Sequence, residues 1–258
     1  MKKLASTAAT GLLLASMAMS ASAVTITDSV HFGGHPDYSG QDLSFSSSNG
    51  TTVNVQGYTG GSDYTLDQDI FRDHVYSWQG GLGVWNGHKK WDHGISNQAG
   101  YYQMALLDFG EEVRLDSFVT SWNKDPRNSF ASVLAYTDNS AFTGLNNLSW
   151  RDLQSSGWEH AGSPDAYNHF RQGEKVSVQG GLLSQYWLVG VYNPAFGGQY
   201  NYLFHESFKL KGVHFSTFED VSEIPLPAAA WLFLTGLAGM GWMKKRKAKR
   251  EQAEVSVA

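Results

Sequence analysis

Stretches of this chain alternate apolar and polar residues with a period of two, and that alternation limits its fold more than any other feature. In residues 51–56, Val53 and Val55 alternate with Asn54 and Gln56. In 113–122, Val113, Leu115 and Val119 share one face, and Arg114, Asp116 and Thr120 share the other. Phe208 and Leu210 alternate with Lys209 and Lys211. Period two is the repeat of a strand with one buried face. Residues 132–137 and 186–192 are apolar on both faces, as central strands covered on both sides would be. Residues 101–109 and 176–178 are further strand candidates. Glycine pairs at 60–61, 80–81, 180–181 and 197–198 divide these runs and suit positive-φ turns. Helical signal is sparse: Ser163-Pro164-Asp165 predicts a short helix reaching Phe170, with proline in its first turn. The expected fold is all-β, a single β-sandwich (jelly-roll or galactose-binding-like) of about eight to ten strands, with a C-terminal transmembrane helix.

The two ends differ from this body. Residues 1–23 join Lys2 and Lys3 to an apolar stretch around Leu12, Leu13 and Leu14, and close on Ala21-Ser22-Ala23. A basic start, an apolar middle and a small-x-small end predict a secretory signal peptide cleaved after Ala23. Residues 226–243 are 18 uncharged, mostly apolar residues. As a helix they just suffice to cross a bilayer core of ~30 Å. Lys244, Lys245, Arg246, Lys247, Lys249 and Arg250 follow directly, and such a basic cluster stays on the cytoplasmic side. The expected organisation is a signal peptide at 1–23, a β-sandwich body at 24–220 and a tail at 221–258.

The tail resembles a PEP-CTERM sorting signal. The residues that carry the resemblance are Pro225, Leu226, Pro227, Ala228 and Trp231, then the glycine-rich apolar span and the basic cluster. Leu226 stands where the founding pattern has Glu, a variant common in the class. The resemblance implies an exosortase substrate of a Gram-negative bacterium. Its expected partners are the Sec machinery and exosortase, with the inner membrane as an intermediate station and the cell surface or extracellular matrix as destination. An uncleaved single-pass anchor is the alternative.

The body is similar to a group of exosortase-dependent surface proteins. The similarity runs from Met104-Ala105-Leu106-Leu107-Asp108-Phe109-Gly110 through Ser132-Val133-Leu134-Ala135-Tyr136-Thr137 and Ser156-Gly157-Trp158. It continues through residues 184–193 to Phe208-Lys209-Leu210. Asp92-His93-Gly94-Ile95-Ser96-Asn97 resembles an Asp-His-x-Ile-Asp-Asn stretch of that group, with Ser96 in place of Asp. This resemblance implies no enzymatic activity.

Charge and composition exclude several chemistries. Residues 24–224 hold 11 basic and 22 acidic residues, a net charge of −11. Nucleic-acid binding needs a positive footprint, so nucleic acid is not an expected partner. The chain has no Cys, which excludes disulfide staples, Cys-ligated zinc and a thiol nucleophile. No Gly-x-Ser-x-Gly elbow or phosphate-binding glycine loop occurs. Glu111 and Glu112 are adjacent, and strand neighbours point to opposite faces, so this pair cannot flank one glycosidic bond. A solvated turn before Val113 is their expected place. The histidine pairs His31/His35 and His88/His93 are too loosely spaced to define a zinc site.

Two features suggest binding. Asp63, Asp67, Asp69 and Asp73 crowd one segment, and Asp92 and Asn97 another; the latter two are candidate ligands of a structural calcium ion. No other cofactor is expected. Seven of the nine tryptophans lie in the body, and Trp78, Trp85 and Trp91 fall in one Gly-, Asn- and His-rich region. Exposed aromatic rings stack on sugar faces with little entropy loss. Trp85 and Trp91 are therefore candidate carbohydrate contacts, whereas Trp187, in a run apolar on both faces, is expected in the core. The expected function is a non-catalytic, exported surface or matrix protein associated with exopolysaccharide. The alternative is a secreted hydrolase of that polysaccharide, marked by a carboxylate pair in a Trp-lined cleft.

Overall fold

The computed structural model describes residues 24–33, 38–61, 65–85, 94–125, 129–161, 168–197 and 206–219. Within them, Thr25–Glu219 form one compact unit. Among the described residues there are fourteen strands, three short 3-10 turns and no α-helix. The strands are β1 (Val24–His31), β2 (Tyr38–Gly40), β3 (Asp42–Ser46), β4 (Thr52–Gly60), β5 (Phe71–Trp78), β6 (Gly81–Trp85) and β7 (Ile95–Ser96). They continue as β8 (Tyr102–Asn123), β9 (Ser129–Tyr136), β10 (Trp158–His160), β11 (Asn168–Phe170), β12 (Lys175–Ser177), β13 (Ser184–Val191) and β14 (Ser207–Glu219). The described residues are all-β, and their strand pairings close: β14, β6, β5, β4 and β8 follow one another, and β8 returns to β14.

The 22-residue β8 makes this closure. Its first half pairs with β4 on one edge and β13 on the other. Its second half pairs with β14 and β12. Between the halves lies an irregularity: Asp108 faces Tyr186 and Val113 faces Ser184, so β8 runs through five residues where β13 runs through two. Gly110 sits in the loop-out at φ +71°, and its N–H donates to the Asp108 carboxylate at 2.9 Å. Such a bulge bends a strand so that it can serve two sheets. Glu111 and Glu112 lie exposed here, inside β8 rather than in a turn between strands. The stretches 101–109 and 113–122 are thus one strand, not two.

Alternation along the strands divides the core in two. Val53, Val55, Ala105, Leu107, Val133, Trp187 and Val189 point inward, toward Leu82, Val84, Phe118, Phe208, Leu210 and Phe215. The opposite faces of the same strands carry Tyr58, Met104, Leu106, Leu134 and Leu188. Leu145, Trp150 and Leu153, from the chain between β9 and β10, cover that second layer together with Leu66 and Ile70. Two covered faces explain why β9 and β13 read as apolar on both sides; Trp187 is fully buried. The cover is fastened by Ile70 N–H donating to Leu148 O at 2.7 Å and by an Arg151–Asp67 ion pair at 2.9 Å.

Two expectations are corrected. The helix expected to reach Phe170 is not formed at its end: Asn168–Phe170 is strand β11, paired antiparallel with Ala131, Phe130 and Ser129 of β9. Residues 163–167, its beginning, lie outside the described residues. The strand count exceeds ten because β2, β7, β10, β11 and β12 are two or three residues long, too short to display a period. Among the described residues no helix is long and apolar enough to cross a membrane. The span expected at 226–243 lies outside them, as do Ala23, Pro225, Leu226, Pro227, Ala228, Trp231 and the basic cluster 244–250.

Candidate functional site

The sheet of β5, β6, β14 and the second half of β8 turns one face inward and leaves an aromatic row on the other. In β5, Val75 is buried in the core, so its neighbours Tyr76 and Trp78 emerge on the outer face, with Tyr76 half-buried. Their rings stack with centroids 5.1 Å apart and planes 12° apart. Trp85, at the end of β6, stands edge-on to Tyr76 at 5.6 Å and 87°. Both geometries are favoured arrangements of aromatic quadrupoles.

Register extends the row across four strands. Tyr76 faces Gly83, and Leu82 faces Leu210, which sets Gly83 beside Lys209. Lys209 in turn faces Trp122, which is 41% exposed. Directly opposed residues project from the same side of a sheet. Tyr76, Gly83, Lys209 and Trp122 therefore form one line of three strand spacings, about 14 Å. Lys209 Nζ lies 5.0 Å from the centre of the Trp78 ring, a cation–π contact. The β5–β6 turn folds over β14, and Ser121 Oγ donates to Gly80 O. Gly81, at φ +118°, sits where a Cβ would overlap the Leu210 carbonyl, so the close approach requires glycine.

The register partners of Tyr76, Trp78 and Trp85 are Ser39, Gly83, Gly81 and His74, and Arg72, further along the same face of β5, is ion-paired with the Asp42 carboxylate. Two carboxylates do line a cleft elsewhere. Asp28 and Asp116 border a polar hollow of about 540 Å³ with Ser48, Lys175 and His214. Among the described residues, no Trp, Tyr or Phe lines it. Asp116 is committed to its neighbours, taking Arg114 Nε at 2.7 Å and the Ser216 hydroxyl at 2.5 Å. Burial, with the charges of Lys175 and His31, holds the His214 imidazole below its ordinary pKa.

The other candidates are distributed as follows. Trp91, Asp92, His35, His88, His93 and Asp63 lie outside the described residues. Asn97 is buried and acts as a clasp: its Oδ1 accepts Glu206 N–H at 2.7 Å and its Nδ2 donates to Tyr192 O at 3.5 Å. Asp67 pairs with Arg151, and the buried Asp73 accepts the Thr59 hydroxyl at 2.8 Å, so the two lie in unrelated surroundings. Among the described residues no three His, Asp or Glu side chains are grouped to hold a metal. Trp150, Trp158 and Trp187 belong to the core. Of the two tryptophans singled out as sugar contacts, Trp85 is in the row, while Tyr76, Lys209 and Trp122 were not anticipated there. Tyr76 was legible in the alternation of β5; Lys209 and Trp122 reach the row only through strand register.

Comparison of the chain with known protein families, with curated proteins and with solved structures finds no match.

Proposed function

We propose that this is an exported, exosortase-processed protein of the cell surface or extracellular matrix whose body, a β-sandwich of jelly-roll or galactose-binding-like type, holds exopolysaccharide without cleaving it. The observation that carries the binding reading is the outward row of Tyr76, Trp78, Trp85 and Trp122. Flat aromatic faces take the apolar C–H side of a sugar ring, and fixed rings lose little entropy on contact. The sorting reading rests on the signal peptide and on the proline motif, apolar span and basic cluster of the tail. A hydrolase needs two carboxylates about 5–9 Å apart beside the bound sugar. The separation of Asp28 and Asp116 from the aromatic row favours binding over hydrolysis.

The test is to equilibrate the purified full chain with the producing organism's exopolysaccharide, in calcium and then in EDTA, and to assay the soluble phase for reducing ends. The expected result is saturable binding without sugar release. Release of reducing sugar would instead establish the hydrolase, and absence of binding would remove the carbohydrate reading. Loss of binding in EDTA would bring calcium into the site.

A further inference from the structure

We propose that the hollow bordered by β1, the β3–β4 turn, β12 and β14 is a second binding site, which takes one neutral, hydroxyl-rich sugar unit: a free monosaccharide or the end of a polysaccharide chain. This site does not depend on the aromatic row. Among the described residues its lining is polar: β1 contributes the hydroxyls of Thr27 and Ser29, the exposed turn adds Ser48 and Asn49, and β12 and β14 add Lys175 and His214. The turn is held before any ligand arrives. Ser47 N–H donates to Thr51 O at 2.9 Å, Gly50 N–H to Ser47 O at 3.3 Å, and Ser47 Oγ accepts Thr51 N–H at 3.0 Å. A turn tied in this way presents Asn49 at little ordering cost. Asp28 supplies the acceptor. Its Oδ1 takes the Ser29 N–H at 2.7 Å and the Ser48 hydroxyl at 3.3 Å, and its Oδ2 is enclosed with no hydrogen-bond partner. A buried carboxylate oxygen without a donor costs free energy. The long bond from the exposed Ser48 is the part of that enclosure which an incoming hydroxyl displaces.

Charge balance selects a neutral ligand. Lys175 offsets Asp28, Arg114 neutralises Asp116 at 2.7 Å, and His214 is held neutral by burial and by the charges of Lys175 and His31. Neither an anion nor a cation meets a net opposite charge here. Among the described residues the side chains of Asn49, Lys175 and His214 make no hydrogen bond or ion pair, so they are open to a ligand. A hydroxyl can donate to the Asp28 carboxylate and accept from the Lys175 ammonium, and a sugar carries several hydroxyls at fixed spacing. A volume of about 540 Å³ is within the range of small-molecule sites. Cleavage is not expected, because Asp116, the second carboxylate, is taken up by Arg114 and by the Ser216 hydroxyl at 2.5 Å.

The experiment is saturation-transfer NMR of the full chain with D-glucose, D-galactose and D-mannose, each beside its uronate and its amino-sugar analogue. At least one neutral sugar is expected to bind, and to bind more tightly than its charged analogues. Asp28→Asn is expected to weaken that binding roughly tenfold or more, the worth of a charge-assisted hydrogen bond, and Asn49→Ala, at an exposed turn position, to weaken it severalfold. Circular dichroism establishes that both variants are folded. The host exopolysaccharide distinguishes the sources: displacement of the monosaccharide assigns the site to a chain end, and its retention assigns the site to a free sugar. No transfer to any neutral sugar would overturn the proposal, as would tighter binding of the uronate or the amino sugar. Binding lost in Trp85→Ala but unchanged in Asp28→Asn would also overturn it, because the sugar would then lie on the aromatic row.

Discussion

Trp187 and Trp85 present the same indole to opposite environments, and their substitutions should separate stability from function. Trp187 is fully buried, and its indole N–H donates to Ser184 O at 3.0 Å. Its replacement by Ala opens a cavity and orphans that carbonyl, and is expected to lower unfolding free energy by about 3–5 kcal/mol in a urea titration. Trp85→Ala removes a ring at the edge of the row; it is expected to cost about 1 kcal/mol or less and to weaken polysaccharide binding severalfold. Glu206 gives a pH signature. It is 3% exposed, and burial first, with the charge of Asp125 second, pushes its carboxyl up from 4.5 to about 7, against hydrogen bonds from Ser129 and the Phe130 N–H. Between those values the folded chain binds the proton and the unfolded chain releases it. Stability is therefore expected to fall as pH rises from about 4.5 to about 7, by at most about 1.4 kcal/mol per pH unit from this group. Glu206→Gln should flatten that part of a thermal-unfolding profile; an unchanged slope would assign the dependence to other groups.

At the scale of elements, β8 and the β5–β6 hairpin decide what the surface presents. The bulge at Gly110 lets β8 serve both halves of the closed sheet, and the turn at Gly81 sets Trp78 against Lys209. Gly81→Ala places a Cβ at φ +118° against the Leu210 carbonyl. It is expected to destabilise by about 1–3 kcal/mol in chemical denaturation and to weaken binding as the turn lifts from β14. A neutral substitution would mean that the hairpin adjusts without consequence. β4 and β14 were readable because burial of one face imposes a pattern on every second residue, and β9 and β13 because burial of both faces leaves a continuous apolar run. The short edge strands were not, since two or three residues carry no period. The helix expected to end at Phe170 lost to pairing with β9, a tertiary contact that local capping residues do not encode. For the site, Tyr76 and Trp78 beside the inward Val75 and Ser77 mark an outward aromatic face within a single strand. Lys209 and Trp122 come from strands 87 residues apart, brought together by the register of β14 on β8. No local pattern announces such a juxtaposition.

For the molecule as a whole, the proposed function joins the acidic body, the aromatic row and the two ends in a protein that is exported and then held by a polymer. Replacing Pro225 and Pro227 with Ala is expected to leave export intact and to retain the chain at the inner membrane, read by fractionation of the producing cell. Unaltered release would mean that the proline motif is not the processing signal. In the proposed function, the row of Tyr76, Trp78, Trp85 and Trp122 holds the exported body in the matrix. The most direct measurement is the partition of the protein between matrix and medium in the producing organism, comparing wild type with the Tyr76→Ala, Trp85→Ala double variant at equal export. Wild type is expected in the matrix fraction and the double variant in the medium. Equal retention of a folded double variant would contradict the proposed function.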